Sequence, residues 1–482
     1  MLRHLLAVKP IGATPGATSH STDVTLKRCL SARHLVVLGI GAIIGAGIFV
    51  LTGQAAAMYA GPAIVLSFVL AGLACAFAGL CYAEFASLLP VSGSAYSYSY
   101  ATLGEGAAWF VGWMLVLEYL VSSATVAVGW SGYLTSFLGT LGIPLPPELT
   151  TAPFAYSGGT LSRTGALINL PAISIVVAIT ALCYVGITQS AFVNSIAVTI
   201  KVTVILLFIA FAIRYVNPGN WIPFIPENSG TFGHFGVSGI LRGASVVFFA
   251  YIGFDAVSTA AGEAKNPQRD MPIAILGSLV ICTLLYIIVS GMLTGLLPYP
   301  QLGTPKPVAT ALEAYPDLLW LKTIVEIGAI AGLSSVILVL ILAQPRIFYT
   351  MSQDGLLPKF FSRLHPRHRT PHVGTIIVGA CAATLAGLLP IGVLGDLVSM
   401  GTLLAFATVC VGVLILRRTR PDLPRPFRVR FLPVISICGA VACTALFLMA
   451  FKDNWHWMSA WIVLGWAVYF AYGYRHSSLR AP

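Results

Sequence analysis

Runs of about twenty apolar residues with hardly a charge inside them recur roughly twelve times along this chain of 482 residues. Such a run can cross a bilayer only as a helix, because inside hydrocarbon every backbone N–H and C=O must find its partner within the segment. The runs cover approximately 34–57, 62–89, 103–136, 170–188, 191–213, 237–261, 272–297, 322–345, 373–390, 395–416, 431–451 and 456–474. The third exceeds one crossing and has room to tilt, or to begin along the interface. Charged residues make up 9% of the chain and the mean hydropathy is +0.88, whereas a soluble domain is about one quarter charged. That composition excludes a soluble enzyme, and it excludes disorder, which needs low hydrophobicity. The expected fold class is all-α and integral to the membrane, with about 12 transmembrane helices. Nine cysteines are scattered without a Cys-x-x-Cys pair, mostly in apolar stretches, and read as buried thiols. Around Arg3, Lys9, Lys27, Arg28 and Arg33 no apolar core of signal-peptide length is found.

The basic residues set the orientation. If the N-terminus is cytoplasmic, nearly all loop Lys and Arg fall on that side, including Lys265, Arg269 and the run from Arg417 to Arg430. The outer loops then hold only Arg163, Arg214, Lys306 and Lys452. This asymmetry points to both termini in the cytoplasm, and the expected location is the inner (cytoplasmic) membrane. The net charge of +11 therefore reflects topology and contact with anionic lipid heads, not nucleic acid. The expected organisation is a cytoplasmic tail over 1–33, a five-helix repeat over 34–213 and a second over 237–416. Two additional helices over 431–474 and a cytoplasmic tail over 475–482 complete it. With an odd number of spans per repeat, the second repeat is inverted relative to the first, as in many secondary transporters.

Weak points at matching places in the two halves support that organisation. Span 1 carries Gly39, Gly41, Gly45 and Gly47, each weakening a helix by about 1 kcal/mol relative to alanine. Five spans later, span 6 carries Gly253 between Ile252 and Phe254. Gly41 and Gly45 also make a Gly-x-x-x-Gly packing face, the ordinary use of such residues. A break would instead free N–H groups for a carboxylate and carbonyls for an ammonium, a site for a zwitterion built mostly from backbone.

The run Gly41-Ala-Ile-Ile-Gly-Ala-Gly-Ile-Phe-Val-Leu-Thr-Gly53 resembles the opening of the amino acid–polyamine–organocation superfamily. Further matches are Tyr82-Ala-Glu84 through Tyr96, Gly104-Glu105, Phe249 through Asp255, and Glu263-Ala-Lys-Asn266-Pro267-Gln-Arg269. The segment Arg346 through Pro358 resembles the bacterial cationic amino acid transporter branch. The resemblance implies a five-plus-five inverted repeat (leucine-transporter-like) with two extra helices, and import of amino acids by proton symport. It implies that Ala46 and Gly47, after Ile43 and Ile44, meet the substrate carboxylate. Phe249, Ala250 and Ile252 would offer carbonyls to its amine, with the Phe249 ring as a gate. Many members carry a hydroxyl residue where this chain has Ala46. Leu333 in span 8 falls where side-chain selectivity is set, so a small or medium neutral amino acid is expected at least as readily as arginine.

Lys201 sits in the middle of span 5, where a lysine costs at least about 2.5 kcal/mol unless it is paired, functional or able to snorkel to an interface. In proton-coupled relatives a lysine here takes the place of a sodium ion, so the expected coupling ion is the proton and no cofactor is expected. Glu118 and Asp255 are the other deep ionisable groups, candidates for proton coupling or for structural acids at a helix break. Glu84, Glu263, Arg269 and Asp354 near the cytoplasmic ends read as gate charges or as solvated loop residues. The histidines at 365, 368 and 372 share their segment with two prolines and two arginines and read as a basic loop rather than a metal site. No nucleophile elbow, phosphate loop or zinc protease motif appears, so an enzyme is not expected. Amino acid exchange and a non-transporting receptor or channel are the rival readings. Expected partners are the amino acid and membrane lipids, with a small accessory membrane subunit as a further candidate.

Overall fold

The computed structural model describes residues 5–9, 30–89, 93–157, 160–185, 188–259, 261, 264–366 and 370–480. It is helical nearly throughout. Helix α1 (Ala32–Ile43) stops at Ile44, and the chain resumes as α2 over 47–60, wound more loosely than an α-helix at both ends. Gly61 takes a positive φ of 58° ahead of Pro62, which turns the chain into α3 (Ile64–Leu88). A short helix α4 (Ser94–Thr102) leads to the long α5 (Glu105–Thr140). A β-hairpin, β1 (Phe154–Ser157) with β2 (Thr160–Arg163), follows α5. Then come α6 (Leu170–Val185), α7 (Thr188–Ala212) and α8 (Gly236–Val247).

After α8 the chain makes one tight turn over Phe248–Tyr251, leaves helical geometry, and forms the short α9 (Ala256–Thr259). The remainder comprises α10 (Pro267–Leu296), α11 (Pro307–Glu313), α12 (Leu319–Gln353), α13 (His372–Leu388), α14 (Ile391–Thr419) and α15 (Leu432–Val468). The two terminal runs of the sequence form two helical segments that meet at a kink at Asn454, whose φ of −124° and ψ of 21° are not helical. Among the described residues, eight helical stretches are long and apolar enough to cross a membrane, and α6 and α13 are shorter apolar helices. The outermost stretch, Leu432–His476, leaves Val434, Val441, Val463 and Leu464 exposed, as lipid-facing side chains require.

Packing sorts the helices into two groups. α3 and α10 lie along each other, with α1 and α8 against them; α12 packs on α5 and α7, and α6 on α13. The breaks in α1–α2 and α8–α9 therefore sit inside the protein, flanked by α5, α7, α10 and α12. Their freed backbone groups are shielded from lipid by neighbouring helices, the condition under which irregular backbone is tolerated at membrane depth.

Candidate functional site

The first break forms where the glycines concentrate. Ile44 adopts φ −70° and ψ 104°, so carbonyls at the end of α1 lose their intrahelical partners, and the first turn of α2 exposes N–H groups. Lys201 of α7 fills the carbonyl side. Its Nζ donates to the Ile44 carbonyl at 2.8 Å, to the Gly41 carbonyl, and to Ser335 Oγ of α12 at 3.2 Å. The side chain is fully buried, and Gly332 lies against its aliphatic stem. Leu333 follows in the same turn of α12, also fully buried.

The second break faces the first. Gly253 takes a φ of 116°, and a Cβ there would meet the Ala42 backbone, so a glycine is required at this crossing. Gly47 abuts Ala250 with no room for a side chain. Tyr286 of α10 stitches the two breaks together, its hydroxyl lying 2.8 Å from the carbonyls of both Ile43 and Ala250. The Phe249 carbonyl already accepts the Ile252 N–H at 3.2 Å, although a carbonyl oxygen has a second lone pair to offer. Phe249, Ala250 and Ile252 are all buried, as are Ile43 and Ala46.

Asp255 closes the second break. It accepts the Gly253 N–H at 3.3 Å and the Tyr119 hydroxyl, and the Glu118 carboxyl lies beside it. Glu118 is fully buried, and among the described residues no donor other than a shared proton with Asp255 reaches its oxygens. The structure thus brings together Ile43, Ala46, Gly47, Lys201, Phe249, Ala250, Ile252 and Asp255, with Glu118 beside Asp255. Tyr119, Tyr286 and Ser335 also belong to this site and were not singled out in the sequence. A tyrosine within an apolar span was the available signal, since a buried phenol must find a hydrogen-bond partner.

The four charges expected near the cytoplasmic ends separate. Glu84 is buried and takes Arg417 in a two-pronged contact at 2.9 and 2.6 Å, along with the Val429 N–H at 3.0 Å. Asp354 accepts Lys9 at 2.7 Å and the Tyr96 hydroxyl at 2.8 Å. Arg269 stands exposed near the start of α10, with no ion pair among the described residues. Glu263 lies outside the described residues, as does His368 of the basic loop.

Comparison with known proteins matches this architecture. The amino acid permease family model matches residues 30–469. The branched-chain amino acid permease BcaP of Bacillus subtilis is 47% identical over 466 residues, covering 95% of this chain and 96% of that protein. The methylthioribose transporter of the same organism is 46% identical, covering 96% and 97%. A vacuolar cationic amino acid transporter of Arabidopsis thaliana is 41% identical over 82% of this chain and 64% of its own length. With matches over nearly its whole length and two broken helices meeting in its core, this chain is a transporter rather than an enzyme, and it belongs to the amino acid permease family of the amino acid–polyamine–organocation superfamily.

Proposed function

We propose that this protein imports amino acids across the cytoplasmic membrane by proton symport. The observation that carries this reading is the Lys201 ammonium on the carbonyls freed by the first break, the position a bound metal cation would otherwise need to occupy. A lysine supplies the charge without sodium, and its proton can be exchanged during the cycle. The substrate carboxylate docks on N–H groups at the start of α2 and its ammonium on carbonyls around Phe249–Ile252. Glu118 and Asp255, side by side, favour one shared proton over two charges and form the second protonation site.

The architecture that fits is twelve spans with both termini in the cytoplasm. In it the 57-residue stretch Ala32–Leu88 crosses twice, as does the kinked Leu432–His476, and α6 and α13 each cross once. Spans 1–5 and 6–10 form the two inverted repeats. Leu333 beside the site favours apolar substrates of moderate size, in keeping with the relative named for branched-chain amino acids. The test is uptake of labelled leucine, alanine, arginine and methylthioribose into proteoliposomes, with and without an imposed pH gradient. Accumulation of leucine or alanine driven by inward protons is expected. Uptake that ignores the gradient and requires internal amino acid would replace symport with exchange.

A further inference from the structure

The loop that joins α14 to α15 holds six arginines and one acid, Asp422, between positions 417 and 431. Two of the six arginines build the loop. Arg417 grips Glu84 of α3 and also donates to the Val429 carbonyl at 2.9 Å, while the Val429 N–H returns to Glu84 at 3.0 Å. Both ends of the loop therefore close on one buried carboxylate. Arg425 donates to the carbonyls of Arg420, Leu423 and Pro421 at 2.7, 2.9 and 3.0 Å, which fixes the turn beyond α14. The other four, Arg418, Arg420, Arg428 and Arg430, are exposed and form no ion pair among the described residues. Arg418 adjoins Arg417, and Arg428 and Arg430 flank Val429, so closure on Glu84 gathers them at one place.

Phe431 follows directly. It is 79% exposed and takes a positive φ of 51°, a backbone region that suits glycine rather than a bulky aromatic. Val434, Ile437 and Val441 of α15 are exposed as well and continue the apolar stripe from it. Water is a poor surrounding for that ring. The head-group boundary of a bilayer is a suitable one, because apolar and cationic side chains both find partners there. We propose that this loop is a built docking site for an anionic phospholipid of the leaflet it faces. The lipid phosphate is taken by Arg418, Arg420, Arg428 and Arg430, and the acyl chains pack on Phe431 and the stripe below it. Guanidinium groups suit a phosphodiester because each can meet two of its oxygens at once. A zwitterionic head group brings its own cation, which four arginines repel, so the site selects by charge. A general excess of basic residues would draw anionic lipid to the whole surface; the pinned loop draws it to one place. Because that loop closes on Glu84, an occupied site also holds the end of α14 against α3.

The test uses full-length protein purified in detergent and given phosphatidylglycerol, phosphatidylcholine or soluble glycerol 3-phosphate. Lipid retention is read by native mass spectrometry, and stability by the midpoint of thermal unfolding. Wild-type protein should hold phosphatidylglycerol at least tenfold more tightly than phosphatidylcholine and unfold at a higher temperature with it. The quadruple variant Arg418→Gln, Arg420→Gln, Arg428→Gln, Arg430→Gln should bind phosphatidylglycerol at least tenfold more weakly and lose most of that stabilisation. A control removing four exposed cations elsewhere, Arg33→Gln, Lys359→Gln, Arg363→Gln, Arg475→Gln, should stay within twofold of wild type. Phe431→Gly relieves the backbone, so it should be at least as stable in detergent, yet hold phosphatidylglycerol at least threefold more weakly. Equal retention of the two lipids by wild type, or a control as impaired as the loop variant, overturns the site. Glycerol 3-phosphate protecting as well as the lipid, or Phe431→Gly with wild-type affinity, overturns the lipid as its occupant.

Discussion

Lys201 is the residue on which the proposed coupling turns. Among the described residues its ammonium is held by dipoles, two backbone carbonyls and the Ser335 hydroxyl, rather than by a facing carboxylate. Lys201→Ala should abolish proton-driven accumulation while some substrate binding survives, because the substrate contacts lie on other atoms. PH-driven uptake at wild-type rate in that variant would rule out the role. Leu333 sets a different property. A bulky apolar wall offers no partner to a guanidinium, whose burial without hydrogen bonds costs several kcal/mol. Leu333→Ser should therefore shift the ratio of arginine to leucine uptake at least tenfold toward arginine. An unchanged ratio would remove Leu333 from the selectivity wall.

At the scale of the element, the breaks matter more than any side chain within them. Gly253 holds a φ of 116° against the Ala42 backbone, and Gly47 touches Ala250. Gly253→Ala adds both backbone strain and a clash, so a loss of about 2 kcal/mol or more is expected, read as a lowered midpoint of thermal unfolding. Transport should fall with it, since α1 and α9 can no longer close on each other. The clasp on α11, in which Glu313 pairs with Lys306 and Lys322, is governed by charge instead. Partial burial by itself would raise the Glu313 carboxyl, but hydrogen bonds and charges from Lys306 and Lys322 outweigh it and hold the group below its ordinary value. A carboxyl lowered on folding stabilises the clasp above the ordinary carboxylate range and loses that contribution as pH falls through its depressed value. Because Glu313 is more than one third exposed, added salt should weaken the clasp. Hydrogen exchange of α11 should accelerate as pH falls below the ordinary carboxylate range and at high ionic strength, and indifference to both would remove electrostatics from its attachment.

The whole molecule is fastened at the end where its tails meet. Fully buried Glu105 accepts Tyr469 at 2.7 Å, Arg480 at 3.0 Å, Tyr100 at 3.2 Å and the Ser477 hydroxyl. Its N–H donates to the Ala7 carbonyl at 3.0 Å, and Ser478 N–H donates to the Asp354 carbonyl at the same distance. Two acids thus gather segments from both ends of the chain onto α4, α5 and α12. A buried carboxylate loses several kcal/mol when its cation is removed, and Glu84 with Arg417 obeys the same arithmetic between α3 and α14. Glu84→Gln should destabilise the protein by about 3 kcal/mol or more, seen as a drop in unfolding temperature. A Glu84→Gln protein as stable as wild type would show that Arg417 finds water instead.

The membrane class was legible in the chain alone because apolar runs of bilayer length have only one way to satisfy their backbone. The glycine clusters likewise pointed to the places where spans 1 and 6 leave helical geometry, since missing side chains act locally. What the chain could not disclose was which groups each break would meet. Lys201 comes from 157 residues beyond Ile44, and Tyr286 from 243 residues beyond Ile43; such partners are chosen by helix packing, which has no local signature. The same holds for Ser335 and for the Glu118–Asp255 pair. The kink at Asn454 falls in the gap expected between the last two runs, and its cause is tertiary. Asn454 donates to Asp396 of α14 at 2.7 Å, and Arg242 of α8 joins Asp396 at 2.8 Å, so a tertiary polar cluster fixes a bend that hydropathy shows only as an interruption. Sequence determined where the backbone would be free, and tertiary structure decided what would satisfy it, because freed hydrogen-bonding groups are a local property and their partners are not.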